Sequence, residues 1–167
     1  PECIGDLVNL TLFNISSELE PDQSQITGQL PSGFTNLQNL VTLNLSNNQL
    51  NGSISEEWIE GLSSTITYLG LDHNQFSGSI PTNIWNLENL EWLHLNNNEL
   101  TGNIPVEIGL FTTLIDLNLS NNQLSGQIPP QICNQSDSTP LVGNNNLCTP
   151  SYPDCISQDD IDSQNCP

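Results

Sequence analysis

The feature that most constrains the fold is one phrase that returns along the chain. Residues 43–54 read LNLSNNQLNGSI, and close copies occupy residues 93–104 and 117–128, which lie 24 residues apart. A looser copy runs over residues 63–81, and a first copy over residues 7–31 contains about six extra residues. A fixed period of this length predicts a solenoid, because each copy is a unit that buries its apolar side only by stacking on the next.

Each copy also contains the alternation of a short β-strand. Leu43 and Leu45 alternate with the polar residues Thr42, Asn44 and Ser46. Successive side chains of a strand point to opposite faces, so one face is apolar and the other polar. We expect these strands to stack side by side, with leucine on leucine inside and the polar residues outside.

This pattern resembles the plant-type leucine-rich repeat, LxxLxxLxLxxNxLxGxIP, over about residues 1–148. The resemblance implies an α/β solenoid, a right-handed superhelix with a parallel β-sheet on its concave face and a mostly irregular, 3-10 or short helical convex side. It implies about five repeats over residues 1–132, beginning in mid-repeat without an N-terminal cap. A cysteine-containing cap with an acidic tail is expected over residues 133–167.

Two positions of the repeat are expected to be structural. The resemblance implies a buried asparagine that bonds the backbone where the chain leaves each strand, and an amide suits this role because it both donates and accepts hydrogen bonds. A glycine follows where the turn requires a positive φ or a close approach of the backbone. The asparagines are Asn48, Asn74, Asn98 and Asn122, and the glycines are Gly52, Gly78, Gly102 and Gly126.

Two insertions interrupt the pattern. Residues 18–22 lengthen the first repeat and are expected to form an acidic surface loop. The segment SISEEWIEGLSS, at residues 53–64, replaces the usual Ile-Pro and adds two residues, and its residues 56–62 are expected to form a short helix on the convex side. Insertions in a solenoid emerge on its surface, so both are candidate contacts for a partner.

The cysteines favour an oxidising, extracellular setting. Four of the five lie near the C-terminus, and two bridges within the cap are expected among Cys133, Cys148, Cys155 and Cys166, with three pairings open. Cys3 lies about five strand spacings from the cap, about 24 Å away, whereas a disulfide requires Cα atoms within about 7 Å. Unless the acidic tail folds far back towards it, its partner is expected to lie either in upstream sequence or in another molecule, through an intermolecular bridge.

The chain contains six N-x-S/T sequons, which are candidate glycosylation sites in an extracellular protein. Two of them, at Asn44 and Asn118, follow from the spelling of the repeat itself. The six asparagines are Asn9, Asn14, Asn44, Asn51, Asn118 and Asn134.

The net charge excludes several classes of partner. The chain has 19 acidic residues and no Lys or Arg, so its formal charge is -19. Such a chain repels nucleic acid and anionic lipid surfaces, and no apolar run approaches the roughly 18 residues needed for membrane insertion. The acidic surface is expected to be solvated, including the tail segment SQDDIDSQN, with weak Ca²⁺ binding as the alternative. No cofactor or metal site is expected.

The outward residues of the middle strands form the candidate binding site. An aromatic pair on adjacent strands has a histidine and two carboxylates beside it, and Gly70 leaves space next to the histidine. Exposed aromatics with polar neighbours are typical of binding hot spots, although such a pair can also simply stabilise a sheet. No activated nucleophile accompanies them, so no enzyme is predicted. The site residues are Tyr68, Asp72, Trp92, His94 and Asp116.

Three functions remain open. The resemblance to receptor ectodomains and polygalacturonase-inhibiting proteins implies an extracellular, secreted or cell-surface module that binds a protein or glycan on its concave sheet. The uncapped start and the odd cysteine fit a structural subunit that stacks head to tail into a filament or matrix. An ice-binding solenoid is the minor alternative, because the first outward column is irregular: it consists of Leu12, Thr42, Tyr68, Trp92 and Asp116.

Overall fold

The structure is a computed structural model that describes residues 2–16, 25–62, 64–134 and 139–166. Its described residues form two five-stranded parallel sheets joined by short helices. The strands are β1 (Leu12–Asn14), β2 (Thr27–Gly28), β3 (Thr42–Asn44), β4 (Gln49–Ser53), β5 (Tyr68–Gly70), β6 (Gln75–Ser79), β7 (Trp92–His94), β8 (Glu99–Gly102), β9 (Asp116–Asn118) and β10 (Gln123–Leu124).

The concave sheet has the strand order β1-β3-β5-β7-β9, so each repeat contributes one strand and pairs with the next repeat. Leu43 pairs with Leu69, Leu69 with Leu93, and Leu93 with Leu117, and all four are fully buried. Their neighbours on either side in each strand point outward. The solenoid and its alternating strands are confirmed.

The second sheet has the order β10-β8-β6-β4-β2 and was not predicted from the sequence. In its strands, Leu50, Phe76, Leu100 and Leu124 are buried against the core, while most of the residues between them are exposed. The four predicted glycines follow these core residues and have φ between 79° and 83°, a region that only glycine occupies easily.

The predicted asparagine ladder is present and is one member longer than predicted. Asn74 illustrates its bonds: Nδ2 donates to the carbonyls of Leu45, Leu71 and Asp72, and Oδ1 accepts from the N–H of Leu50. Asn98 is only partly buried, whereas the other three predicted members are buried. Asn145 repeats the same bonds at the last turn and is completely buried.

Short helices form the convex side. Helix α1 (Glu56–Glu60) confirms the predicted helix in the second insertion, and the Ser55 hydroxyl caps it by accepting from the N–H of Trp58. Five 3-10 helices supply the same turn in other repeats, at Glu2–Asp6, Ser32–Asn36, Thr82–Asn86, Val106–Leu110 and Pro130–Asn134. The predicted acidic loop at 18–22 lies outside the described residues, and so does the Cys3 side chain.

Two disulfides close the cap, as predicted: Cys133–Cys155 and Cys148–Cys166. The acidic tail, expected to be solvated, is only partly so over residues 157–166: Asp159 and Asp162 are exposed, whereas Asp160 is buried. This segment contains helix α2 (Gln158–Asp162), whose Asp160 is buried and accepts hydrogen bonds from the N–H groups of Gly143 and Val142. The tail packs because the last turn of the solenoid offers unpaired N–H groups that a carboxylate can satisfy.

Within the described ranges, none of the helices has the length and apolar character required to cross a membrane.

Candidate functional site

The aromatic pair predicted from the sequence lies on the concave sheet. Tyr68 and Trp92 are directly paired between β5 and β7, with ring centroids 6.4 Å apart and ring planes tilted by 38°. Both side chains are partly exposed, whereas Trp58 and Trp85 are 5% and 3% exposed. Trp92 is therefore the one tryptophan that a ligand can contact on the surface.

His94 connects this pair to a carboxylate. Its Nδ1 lies 3.4 Å from the Tyr68 hydroxyl, and its Nε2 lies 3.0 Å from Oδ2 of Asp116. With the proton on Nε2, the imidazole donates to Asp116 and accepts from the phenol. The Tyr68 and His94 rings also make an edge-to-face contact, with centroids 5.5 Å apart. Three of the five predicted site residues thus form one hydrogen-bonded chain across β5, β7 and β9.

The space expected beside His94 is filled. A Cβ added to Gly70 would come within 2.8 Å of Tyr68 Cε1 and 2.9 Å of both Asn44 Oδ1 and Ser46 Oγ. The Tyr68 ring therefore lies over the Gly70 backbone, and this position brings its hydroxyl to His94. Gly70 supports the site by admitting the tyrosine ring, and it does not leave an open cavity.

Asp72 belongs to the same surface but is not part of the hydrogen-bonded chain. Its Oδ1 accepts a hydrogen bond from the Ser46 hydroxyl at 2.5 Å, and its Oδ2 lies 3.9 Å from Nε2 of His73. Its side chain is 14% exposed, compared with 47% for Asp116. Asp116 is therefore the carboxylate that is presented to a ligand.

The electrostatics of the site act on Tyr68. Burial of the phenol raises the pKa of Tyr68, and the negative charges of Asp72 and Asp116 raise it further, because each of these effects disfavours the phenolate. Tyr68 consequently stays a neutral hydrogen-bond donor over the physiological range.

A shallow pocket adjoins the aromatic pair. It has a volume of about 350 Å³ and is lined by Asn14, Thr42, Asn44, Thr67, Tyr68 and Trp92. Sequence reasoning did not assign Thr42, Thr67 or Ser46 to the site. Thr42 and Ser46 occupy outward positions of the neighbouring repeat, which stacking brings next to Tyr68, and Thr67 directly precedes Tyr68 in the same repeat.

The sequons fall on two kinds of surface. Asn14, Asn44 and Asn118 lie on the concave sheet, and their Oδ1 atoms accept from the N–H two residues ahead. Asn118 pairs with His94, so a glycan there would border the site directly. The other three candidates are exposed away from the concave strands: they are Asn9, Asn51 and Asn134.

Among the residues whose placement the structure describes, no three His, Cys, Asp or Glu side chains come together in a group that could hold a metal ion. His73 is exposed, with φ of 52°, and its Nε2 lies 3.1 Å from Asn97 Nδ2.

Comparison with known proteins assigns the family. A leucine rich repeat model matches residues 22–76, and a second leucine rich repeat model matches residues 89–111 and 113–135. A search of curated proteins gives no match.

Solved structures show the same fold. The plant peptide hormone receptor RGFR1, in complex with RGF2, is 35% identical with a TM-score of 0.77, over 88% of this chain and 22% of that chain. A plant ice-binding protein is 31% identical with a TM-score of 0.76, over 88% of this chain and 45% of that chain.

The BIR2 ectodomain from Arabidopsis thaliana is 30% identical with a TM-score of 0.69, over 77% of this chain and 67% of that chain. The chain thus spans less than a quarter of RGFR1 and two thirds of the BIR2 ectodomain. On its repeat pattern, its stacked parallel strands and these matches, the chain belongs to the leucine-rich repeat family.

Proposed function

We propose that this chain is an extracellular, non-catalytic recognition module that binds a protein or peptide on its concave sheet. The observation that carries the proposal is the hydrogen-bonded chain from Tyr68 through His94 to Asp116, with the Trp92 ring beside it. Aromatic residues held in place by their neighbours are typical binding hot spots, since little side-chain entropy is lost when a ligand arrives.

The relatives support a protein ligand. The RGFR1 structure is that of a peptide hormone receptor in complex with RGF2, and this chain shares its fold with a TM-score of 0.77. The two cap disulfides support an extracellular location, because such bonds persist in oxidising compartments. A glycan remains the alternative ligand, because an aromatic pair also suits the face of a sugar ring.

Selection from a phage-displayed random peptide library on the immobilised, disulfide-intact protein tests the proposal. Dissociation constants of the selected peptides are then measured for the wild type and for a Tyr68→Ala, Trp92→Ala variant. We expect at least a tenfold weaker affinity in the variant, because truncating hot-spot aromatics costs about 2 kcal/mol or more.

A matched pair of substitutions on the second sheet, Gln75→Ala and Ser77→Ala, is the control. Circular dichroism checks that both proteins fold. Equal affinity of the selected peptides for the concave variant and the wild type would refute the concave-face assignment. If the selected peptides lose affinity only for the control variant, the binding site lies on the second sheet.

Ice binding is a second candidate, and the second sheet favours it. The concave sheet is irregular, whereas the outward residues of the second sheet are almost all uncharged amides and hydroxyls at regular spacing. One row consists of Ser79, Thr101 and Gln123, and Glu99 is the only charged residue in the five strands. The ice-binding relative is 31% identical. We expect the wild type to show thermal hysteresis and the Thr101→Tyr variant to show none. Absence of thermal hysteresis in the wild type would refute ice binding.

Head-to-tail stacking into a filament has less support. Its partner surface would be the last turn of the solenoid, and α2 with the Gln164 side chain already bonds the backbone there at Val142, Gly143 and Leu147. A second copy would have to displace this segment, which the Cys148–Cys166 bridge tethers. Sedimentation of the unreduced protein distinguishes a monomer from a stacked assembly.

A further inference from the structure

We infer that the concave site recognises an arginine side chain of a basic, extended peptide, with the guanidinium stacked on Trp92 and paired with the carboxylate of Asp116. This inference rests on the proposed function and names the chemistry of its ligand.

The charge of the whole chain favours a cationic ligand. The protein has no Lys or Arg and a formal charge of -19. Among the described residues, the carboxylates with an ion-pairing group nearby are Asp72, beside His73, and Asp116, beside His94. The surface field is therefore negative, so it attracts basic peptides and repels acidic ones.

The positions of Trp92 and Asp116 define where the cation is placed. Tyr68, Trp92 and Asp116 are paired in register across β5, β7 and β9, so they form one row. Adjacent strands lie about 4.8 Å apart. A cation within about 6 Å of the indole ring is therefore also within reach of the Asp116 carboxylate. A peptide that crosses the strands follows this row.

His94 prepares Asp116 for this contact. Nε2 of His94 holds Oδ2 of the carboxylate at 3.0 Å. Oδ1 accepts no hydrogen bond from a described residue, and the Asp116 side chain is 47% exposed. One oxygen is thus fixed by the protein and the other is presented beside Trp92. A ligand that donates to this second oxygen completes its hydrogen bonding.

Arginine fits this geometry better than lysine. The guanidinium is planar and weakly hydrated, so it stacks on an aromatic face while its N–H groups point sideways to a carboxylate. The lysine ammonium is a compact, strongly hydrated charge and makes only the charge contact. We therefore expect a preference for arginine over lysine, and for both over a neutral side chain of the same shape.

Titration with three tripeptides tests the inference. The probes are acetyl-Gly-Arg-Gly-amide and its lysine and citrulline analogues, because citrulline retains the shape of arginine without its charge. The readout is the NMR chemical shift of the indole N–H of Trp92. This signal is assigned by its loss in a Trp92 variant, which distinguishes it from the signals of the buried Trp58 and Trp85. We expect the arginine probe to bind at least fivefold tighter than the citrulline probe, with a difference that shrinks as salt rises.

Two variants of equal net charge test whether the preference for arginine depends on Asp116 or on the overall charge. Asp116→Asn should abolish the preference for arginine over citrulline. Glu107→Gln, in an exposed position of the Val106–Leu110 helix, removes the same charge elsewhere and should retain the preference. Loss of the preference in both variants would show a general charge effect and overturn the specific site.

Equal shifts with the arginine and citrulline probes in the wild type would also overturn the inference. That result leaves the proposed function separately testable, because library peptides without arginine would still require Tyr68 and Trp92. Library peptides that ignore both aromatics would refute the proposed function itself.

Discussion

The phenol ring of Tyr68 lies over the backbone of Gly70, so closely that a Cβ on Gly70 would come within 2.8 Å of Tyr68 Cε1. This contact explains how an otherwise ordinary repeat becomes a candidate site. The ring can lie along the sheet only because the next outward position has no side chain. In that position its hydroxyl reaches His94, which in turn reaches Asp116.

Gly70→Ala should therefore disrupt the site more than the fold. The methyl group meets Tyr68, Asn44 and Ser46, so we expect a loss of about 1–3 kcal/mol in the free energy of unfolding and displacement of the tyrosine ring. Urea unfolding measures the first effect, and the NMR shifts of the His94 ring measure the second.

A double-mutant cycle supplies the control for Gly70. In a Tyr68→Ala background the closest clash is removed, so the added methyl should cost less than in the wild type. Equal costs in the two backgrounds would show that Tyr68 and Gly70 are not coupled.

The alkaline stability of the protein should depend on Tyr68. Its folded pKa is raised above the ordinary value of 10.0 by burial and by Asp72 and Asp116. Between that value and the folded pKa the unfolded chain binds fewer protons than the folded one, so the free energy of unfolding falls as pH rises. Urea unfolding at pH 9 to 11.5 should show a smaller decline in Tyr68→Phe than in the wild type, because the variant lacks this phenol. An identical decline in both proteins would contradict the account.

The asparagine ladder should contribute more to stability than the outward asparagines. Asn122→Ala leaves the buried N–H of Leu100 without its acceptor. It also removes one of the two asparagine amides that donate to each of the carbonyls of Leu95 and Leu119. We expect a cost of about 3 kcal/mol. Asn118→Ala, four residues earlier on the outward face, should cost no more than about 1 kcal/mol. Similar costs, measured by urea unfolding, would contradict the structural role of the ladder.

The buried carboxylate of the tail should secure the C-terminal cap. Asp160→Ala removes the acceptor of the Gly143 N–H and of the Ser157 hydroxyl, so we expect a loss of about 2 kcal/mol and faster proteolysis of residues 157–166. Asp159→Ala changes an exposed neighbour in the same helix and should cost less than about 1 kcal/mol. Equal proteolysis rates for the two variants would show that Asp160 does not anchor the tail.

Sequence reasoning recovered what the period of the repeat determines. The pairing of Tyr68 with Trp92 follows from stacking in register, and the buried bonds of Asn74 follow from its place in each turn. Helix α1 was predicted because an insertion in a solenoid emerges on its surface.

The features that the sequence did not predict depend on contacts between residues that differ from one repeat to the next. The position of Tyr68 over Gly70 depends on side-chain rotamers that spacing does not determine. The second sheet arises because the residues after each ladder asparagine pair with the adjacent repeat, although they do not alternate as clearly as the first strands. The tail packs through Asp160, which accepts hydrogen bonds from N–H groups of the last turn. The sequence of the acidic segment alone does not indicate these partners.

Mapping a library-selected peptide on the isotope-labelled protein by NMR is the most direct test of the concave-face site. The account predicts that the largest amide and side-chain shifts fall on Tyr68, Trp92, His94 and Asp116. Shifts concentrated on the second sheet or the convex helices, with these four residues unchanged, would contradict it.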